Sequence, residues 1–322
     1  MKAAVLHNYG EYPHFEEFPD PVPDEKEELI DVKAVTLENI HKMIASGEHF
    51  ASSQFISEFP TILGFDGIGR RTDGKMVGFG GPRQPYGSMA EKTVVSKSNT
   101  VLIPEDIDAV TAATVPGSAL TSLFPLKWGA KLVEGETVLI NGATGVSGKL
   151  AVQVAKLLGA GRVVGTGRNP ESMKKVKELG ADAVIDLTQS EEEIRKAFQE
   201  EKKDGYDIII DYVWGKPKEL LLEALTPDRI DLSGKNTRLV QLGEKAGSEI
   251  SLSASMLRTS GVEIFGGAKG MTLETKNEGT ELVWQWLREN KLQMEIEKVA
   301  LQDIEEIWQR TDFQGKRVVL VP

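Results

Sequence analysis

The chain has 322 residues, of which 40% are hydrophobic and 27% are charged, so it is long enough for two domains and has the composition of a globular protein. Its net charge of −11 argues against nucleic acid or an anionic membrane as a partner, because the contact surface for either would be basic. The chain has no cysteine, which excludes disulfides and thiolate metal ligands and favours a cytoplasmic location. Polar His7 and Asn8 follow the first six residues, and no run approaches the ~18 apolar residues of a membrane span, so neither a signal peptide nor a membrane helix is predicted.

The first hundred residues predict short strands separated by turns. Strand-like stretches cover 3–6, 28–35, 77–79 and 87–95, and the segment 64–74 holds four glycines. The segment 80–87 combines two prolines with three glycines, which suits neither a helix nor a sheet ladder and therefore predicts a loop. This part of the chain is predicted to form a compact, mostly β domain.

From Asp108 onward the pattern becomes helical, with one helix at 109–115, which Pro116 and Gly117 are expected to end, and another at 119–128. Apolar strands then alternate with amphipathic helices, which predicts a doubly wound parallel sheet. The strands are predicted at 138–140, 162–165, 183–186, 208–212, 238–242 and 262–265, and the helices at 148–158, 170–179, 191–202 and 218–225.

The last fifty residues predict a helix at 278–288, a short strand near 299, a helix from 303 and a final strand at 317–321. We expect this tail to pack back on the first domain. The predicted domains are therefore 1–115 completed by 270–322, and 116–269.

A glycine-rich turn lies between the first strand and the first helix of the alternation. Residues 137–140 lead into Asn141–Gly148, and a helical pattern follows to Leu158. This order is typical of the βα unit that binds dinucleotides, in which glycines let backbone N–H groups close on a pyrophosphate at a helix N-terminus. Ala143 takes the place of the first glycine of the G-x-G-x-x-G pattern, and Gly145 and Gly148 take the others. The alternative is a tight strand-to-helix turn that binds no nucleotide.

Arg168 follows the next predicted strand, 20 residues after Gly148. A site that prefers NAD usually has Asp or Glu at about this distance, to accept hydrogen bonds from the ribose 2′-hydroxyl. A guanidinium instead offers several donors to a phosphate, whereas a carboxylate would repel it. The sequence therefore predicts NADPH over NADH, and the alternative is a solvated arginine on a βα loop.

Five short segments, in a fixed order along the chain, carry a recognisable pattern. They are Gly64–Gly69, Gly87–Glu91, Ala143–Gly148, Gly159 with Leu179–Asp186, and Asp207–Asp211. Together they resemble the medium-chain dehydrogenase/reductase superfamily, specifically its zinc-free quinone oxidoreductase branch, over essentially the whole chain. The resemblance implies an α/β fold with a Rossmann doubly wound parallel sheet plus a mostly β GroES-like substrate domain. It also implies NADPH as the cofactor and reduction of a quinone or an activated alkene (enone or enal) by hydride transfer.

The resemblance further implies which residues surround the cofactor. Asn141 and the strand ends at 212–213, 242–243 and 265–266 would lie at the nicotinamide or its ribose, because dinucleotides bind at the carboxyl ends of the strands. The alternative for each pair is an ordinary strand-end turn. The predicted cofactor-binding residues are Thr121, Asn141, Thr144, Gly145, Val146, Arg168, Val213, Leu242, Gly243 and Phe265.

The zinc-dependent relatives hold their metal with cysteines, which this chain lacks. His41 and His49 lie near the position at which those relatives place their first ligand, and His41 with Asp66 could furnish two, but there is no convincing third. Because zinc catalysis normally needs three protein ligands, no metal is predicted and activity is expected to be zinc-independent.

Tyr86 and His41 are the candidate catalytic residues, as donors to the oxygen on which negative charge develops. Tyr86, in the loop 80–87, can donate from its phenol, and the alternative is a loop tyrosine that rests on the surface. His41, if protonated, could donate a proton as well, and the alternative is a packing or hydrogen-bonding histidine. Glu38 and His41 stand where the family has Asn and Asp, so the substrate-facing contacts depart from the family's pattern.

Two functions remain open: an NADPH-dependent reductase of a small electrophilic substrate, and a non-catalytic NADPH-binding redox sensor. A homodimer is also expected. The strand at 262–265 is the last of the sheet in chain order, and its unpaired edge would join a second copy about a twofold axis.

Overall fold

The computed structural model describes residues 1–203, 205–226, 236–311, 313 and 315–322. The chain divides into two compact units, Met1–Val115 with Glu295–Pro322, and Pro116–Met294. In chain order, the strands are β1 (Lys2–Leu6), β2 (His14–Glu17), β3 (Glu27–Leu37), β4 (Thr61–Ile62), β5 (Asp66–Arg71), β6 (Met76–Gly80), β7 (Lys92–Ser96), β8 (Thr100–Leu102), β9 (Thr137–Asn141), β10 (Arg162–Gly167), β11 (Ala183–Asp186), β12 (Ile208–Asp211), β13 (Thr237–Gln241), β14 (Val262–Gly266), β15 (Ile296–Ala300) and β16 (Arg317–Val321). The helices are α1 (Asn39–Ser46), α2 (Ser52–Phe55), α3 (Ala109–Phe124), α4 (Val146–Leu157), α5 (Pro170–Glu178), α6 (Glu191–Lys202), α7 (Gly215–Leu225), α8 (Ala254–Thr259), α9 (Leu273–Arg288) and α10 (Ile304–Gln309).

The first unit is mostly β, as the sequence predicts. One sheet has the order β2-β1-β4, and a larger one has the order β15-β16-β3-β5-β6-β8, with β7 also paired to β3. Ile30 and Val35 of β3 pack in the core of this unit with Leu320 of β16. The last strand of the tail belongs to the larger sheet, because β16 runs antiparallel to β3 with Val318 opposite Leu37.

The second unit contains a six-stranded sheet with the order β11-β10-β9-β12-β13-β14. All five neighbouring pairs are parallel, so the carboxyl ends of the strands share one edge. Residues 138–140 and 208–210 are apolar and fully buried, because strands at the centre of such a sheet are covered on both faces. The predicted doubly wound parallel sheet is confirmed.

The predicted helix end at Pro116 is wrong. α3 runs from Ala109 to Phe124 with Pro116 inside it, and a π-helical turn, Pro125–Gly129, follows. A proline inside a helix costs a backbone hydrogen bond, but burial of Val115, Ala119 and Leu123 holds this segment helical. The division between the two units falls at this proline.

α9 belongs to the second unit, whereas the sequence-based prediction placed 270–294 in the first domain. Gly279 of α9 lies so close to the second unit that a Cβ there would be 3.1 Å from Leu120 Cδ2. Farther along, Gln293 N donates to Gln153 Oε1 at 2.7 Å, and Gln153 Nε2 donates to Gln293 O at 2.9 Å. Because of these long-range contacts, the chain belongs to the second unit as far as Met294.

One helical segment of the described chain, 109–129, is long and apolar enough to cross a membrane by length and composition alone. This differs from the sequence-based expectation that no such run exists. Because 61% of its most apolar window is buried, it is weak support for a span, as core helices of soluble proteins pass the same test.

Candidate functional site

The glycine-rich turn connects β9 to α4 at the carboxyl edge of the sheet. Gly142 has φ of 90°, and a Cβ at Gly148 would lie 2.2 Å from Gly142 O, so the turn requires glycine at both positions. Gly145 is the N-cap residue of α4, and no side chain caps the helix. The first N–H groups of α4 therefore face outward from a helix N-terminus, an arrangement that suits an anionic ligand. Thr144 packs on β10, where a Cβ at Gly167 would lie 2.2 Å from its Cγ2.

A chain of buried side-chain hydrogen bonds supports this turn from below. Gly142 N donates to Thr166 Oγ1 at 2.8 Å, and Thr166 Oγ1 donates to Asn141 Oδ1 at 2.7 Å. Asn141 Nδ2 then donates to Asp211 Oδ1 at 2.9 Å. Asn141, Thr166 and Asp211 are all fully buried, and each stands at or near the end of its strand. The ends of β9, β10 and β12 are thus tied together through side chains.

Asp211 also shapes the turn that follows β12. Its Oδ1 accepts hydrogen bonds from Val213 N at 3.0 Å and Trp214 N at 3.2 Å. Trp214 has φ of 56° and ψ of −155°, a backbone conformation that costs a residue other than glycine about 1–3 kcal/mol. Asp211 O in turn accepts from Leu242 N and Gly243 N at 2.8 and 3.1 Å. The structure therefore brings Asn141, Val213 and the 242–243 pair together around Asp211, and their contact with the nicotinamide or its ribose stays a prediction.

A buried lysine completes this arrangement. Lys218 of α7 has no exposed side-chain surface, and its Nζ lies 3.3 Å from Asp211 Oδ2. Burial lowers the pKa of Lys218 to about 8, although the attraction of Asp211 opposes the change. Thr166 and Lys218 were not predicted from the sequence as site residues. A threonine in a buried strand and an aspartate that ends an apolar run are the signals that point to this network.

Arg168 follows β10 directly and is exposed. The next residue, Asn169, caps α5 by accepting from Ser172 N at 2.9 Å, which fixes the backbone beside the arginine. Among the described residues, no hydrogen bond or ion pair involves the Arg168 guanidinium. Its donors are therefore available to a ligand.

Thr121 and Phe265 lie outside this chain of hydrogen bonds. Thr121 is exposed on α3 and its Oγ1 donates to Ser118 O at 2.7 Å, within the same helix. Phe265 lies in β14 at the edge of the described sheet, with Lys269 Nζ 3.8 Å from its ring centroid. Both remain predictions as cofactor contacts.

His41 is a buried, neutral histidine in the first unit. Its side chain is 2% exposed, it stacks on Phe65 with ring centroids 5.0 Å apart, and its Nδ1 accepts from Glu38 N at 3.1 Å. Burial lowers the pKa of His41 to about 4, since the loss of solvation outweighs the nearby Glu38 carboxylate. These surroundings argue against proton donation by His41 at neutral pH and fit the hydrogen-bonding alternative, while a hydrogen bond from the neutral ring to the substrate oxygen stays a prediction.

Tyr86 is half-buried on the first unit. Its hydroxyl donates to Asp20 O at 3.5 Å, and its ring packs edge-on to Phe18 with centroids 6.0 Å apart. The Arg83 guanidinium lies 5.9 Å from the ring centroid. These contacts favour the second interpretation of Tyr86, a loop tyrosine packed on its own unit.

Asp66 is a titratable group that the sequence suggested only as a metal ligand. Asp66 is exposed at the surface of the first unit, yet partial loss of solvation and then the Glu38 carboxylate raise its pKa to about 6, while Arg317 opposes them. Arg317 Nη1 itself pairs with Glu38 Oε1 at 2.8 Å. This acid therefore titrates nearer to neutrality than His41 does.

The donors among the described residues do not fit a zinc ion. Nowhere in the described part of the chain do three His, Asp or Glu side chains come together as a metal site, and there is no cysteine. Nδ1 of His41, one of the two candidate ligands, already accepts a backbone hydrogen bond.

Comparison with known proteins shows which proteins the chain is similar to. Residues 147–266 match the family model described as zinc-binding dehydrogenase. The probable NADPH-dependent quinone reductase tdiC of Emericella nidulans is 27% identical over the full length of both chains. The chloroplastic NADPH-dependent alkenal/one oxidoreductase of Arabidopsis thaliana is 32% identical over 66% of this chain and 57% of its own. The chain spans 59% of another relative, the trans-enoyl reductase pgmF of Aspergillus terreus.

Solved structures share the whole fold. A quinone oxidoreductase from Pseudomonas syringae superposes with a TM-score of 0.79 at 24% identity, covering 100% of this chain and 99% of its own. A mycobacterial protein solved in complex with NADPH has a TM-score of 0.80 at 22% identity, over 100% of both chains. These comparisons show that the chain has the fold of the solved quinone oxidoreductases and is similar to NADPH-dependent quinone reductases, in line with its resemblance to the medium-chain dehydrogenase/reductase superfamily.

Proposed function

We propose that the protein is an NADPH-dependent oxidoreductase that reduces a quinone or an activated alkene by hydride transfer without zinc. Relatives named as an NADPH-dependent quinone reductase, an alkenal/one oxidoreductase and a 2-methylene-furan-3-one reductase support this activity. Within the chain, one observation carries the proposal: Arg168 stands exposed and unpaired among the described residues, just beyond the glycine-rich turn. Its donors suit the 2′-phosphate that distinguishes NADPH from NADH.

The residues at the carboxyl edge of the sheet fit this cofactor. The uncapped first turn of α4 would bind the pyrophosphate through N–H groups, and Gly148 lets the helix approach the strand closely enough. Val213 and the 242–243 pair, which Asp211 draws together, would lie at the nicotinamide end. When bound, NADPH supplies the hydride, and the protein supplies position, exclusion of water and hydrogen bonds to the developing oxyanion.

The proposed assembly is a homodimer in the cytoplasm that binds neither nucleic acid nor membrane. β14 lies at one edge of the described sheet, where its unpaired backbone groups are suited to extend the sheet into a second copy. The absence of cysteine and the net charge of −11 support the location and the choice of partners.

Cofactor titration of wild type and Arg168→Ala tests the proposal. Loss of a charge-assisted phosphate contact is worth roughly 1.5–3 kcal/mol, so NADPH should bind about tenfold or more weakly to the variant and NADH nearly unchanged. Arg258→Ala, which removes another exposed arginine of the second unit, is the matched control and should bind both cofactors as wild type does. Equal affinity of the wild type for NADPH and NADH would refute the role of Arg168.

Hydride transfer separates the enzyme from a redox sensor. Wild-type protein with stoichiometric NADPH is mixed with a panel of quinones, enones and enals, and oxidation of the cofactor is followed by its absorbance. Transfer to at least one class of acceptor is expected. Tight NADPH binding without transfer to any acceptor would support the non-catalytic alternative.

A further inference from the structure

The buried pair of Lys218 and Asp211 has no role in binding or chemistry by direct contact, because neither side chain reaches solvent. Two buried charges are costly, and their attraction offsets that cost only when their geometry is good and their other hydrogen bonds are made. Here Lys218 Nζ lies 3.3 Å from Asp211 Oδ2, yet neither atom makes a well-formed hydrogen bond. Stability alone is therefore a poor explanation for a lysine at this position.

The other oxygen of the same carboxylate accepts three hydrogen bonds from neighbouring residues. Asp211 Oδ1 accepts from Asn141 Nδ2, Val213 N and Trp214 N at 2.9, 3.0 and 3.2 Å. Through Asn141 it is connected to Thr166 and to Gly142 N, the first N–H of the glycine-rich turn. An ionised carboxylate accepts at both oxygens, whereas a protonated one turns part of its capacity into a donor.

The turn that Asp211 holds is one that does not form readily by itself. Trp214 has a backbone conformation that favours glycine, and the next residue, Gly215, has φ of 55° and sits where a Cβ would be 2.4 Å from Ala246 O. Such a backbone persists only where its surroundings specify it strongly. The hydrogen bonds from Val213 N and Trp214 N to Asp211 are among the contacts that do so, together with Ala246 N, which donates to Val213 O at 2.8 Å.

We infer that Lys218 is a positioning residue, whose ammonium holds the Asp211 carboxylate in the orientation that fixes both the 213–214 turn and the glycine-rich turn in the form that binds the cofactor. The inference rests on the proposed function, because it assigns the two turns to NADPH. Lys218 comes from α7, which begins directly after the strained turn, so the same short segment supplies both the turn and the cation that stabilises it.

The test compares Lys218→Met, Asp211→Asn with Lys218→Met, and Lys216→Met. Lys218→Met removes the charge at similar length and leaves a buried carboxylate without its cation. In the double variant, the amide oxygen at position 211 can accept the same three N–H bonds with no charge to neutralise. Lys216, on the same helix but 53% exposed, is the matched control.

Two measurements are made, hydrogen exchange of the backbone amides of residues 142, 213 and 214 in the protein without cofactor, and the dissociation constant of NADPH. We expect Lys218→Met to lose protection at 213 and 214 by tenfold or more and to bind NADPH at least tenfold more weakly. The double variant should recover both to within about threefold of wild type, and Lys216→Met should match wild type throughout.

The outcomes are distinct. Unchanged protection and affinity in Lys218→Met would overturn the inference, as would a double variant that fails to recover or to fold. If Lys218→Met alone does not fold, a double variant that folds and recovers amide protection and NADPH affinity supports the inference, because a neutral pair is then enough to hold the turns. If wild type fails to bind NADPH, the proposed function fails, while the exchange of the three amides still decides the role of Lys218.

Discussion

Acid should destabilise this protein through His41, and the size of the effect follows from its burial. In the folded protein the pKa of His41 is lowered from 6.5 to about 4, chiefly because its ring has lost its solvation. Between those two values the unfolded chain takes up a proton that the folded protein does not, so the free energy of unfolding falls as the pH falls from 6.5 to 4 and does not change further below that range. At ~1.4 kcal/mol for each pKa unit, the loss approaches about 3 kcal/mol.

Asp66 contributes with the opposite sign over part of the same range. Its pKa is raised from 3.8 to about 6 in the folded protein, so the folded state takes up this proton first and gains stability as the pH falls from 6 toward 3.8, although Asp66 is exposed and solvent weakens the effect. The total pH dependence is therefore a poor measure of either group. The difference between wild type and a His41 variant isolates the histidine.

The assay is denaturant unfolding of wild type, His41→Asn and His14→Asn at intervals from about pH 7.5 to 4. The asparagine side chain would keep an acceptor for Glu38 N without a titrating ring, so the stability of wild type relative to this variant should fall by about 3 kcal/mol as the pH falls through the window. His14 is 51% exposed, and its replacement should leave the acid-induced loss in place. Parallel stability profiles for wild type and His41→Asn would refute the reasoning. For the same reason, His41 should give no inflection in the rate between about pH 6 and 8.

Three further outcomes are expected. Tyr86→Phe should keep turnover within about twofold of wild type and leave NADPH affinity unchanged, because the phenol already donates to Asp20 O within its own unit; a loss of tenfold or more would restore it as a candidate donor. Activity should survive prolonged treatment with a chelator, since His41 and Asp66 have no third ligand among the described residues, and stoichiometric zinc that restores lost activity would count against this. Light scattering at micromolar concentration should give the mass of a dimer, and a monomer would contradict pairing through β14.

The sheet of the second unit could be predicted from the sequence because its signals are local. Residues 138–140 and 208–210 are unbroken apolar runs between helical patterns, and a strand covered on both faces has that composition. The order of strands and helices along the chain then leaves few topologies, because parallel crossovers are nearly always right-handed. The glycine-rich turn could be predicted for a similar reason. Glycine is required at Gly148 because a Cβ there would clash with backbone atoms of the same segment, Asn141–Gly148.

What could not be predicted depends on contacts between distant residues. Proline disfavours the interior of a helix in any sequence, so the neighbouring residues predict a helix end at Pro116. The helix continues through it because α3 is buried. α9 was assigned to the wrong unit because its Gly279 packs against Leu120, which is far away in the sequence. The pKa of His41 depends on the solvation of its ring, which the folded structure determines and the neighbouring sequence does not reveal.

Arg168 and Lys218 both lie near the carboxyl edge of the sheet, but we assign them different roles. Arg168 would recognise the 2′-phosphate, whereas Lys218 would hold the turns that bind the cofactor, and the two roles can be distinguished by measurement. Arg168 is exposed and its donors are unused among the described residues, so its removal should change the preference between NADPH and NADH. Lys218 is buried and acts only through Asp211, so its removal should weaken both cofactors by the same factor, because the turns it stabilises serve the part that they share. The ratio of the two dissociation constants therefore separates recognition from positioning. A Lys218→Met variant whose ratio moves as far as that of Arg168→Ala would show that the lysine senses the 2′-phosphate, which its burial does not allow.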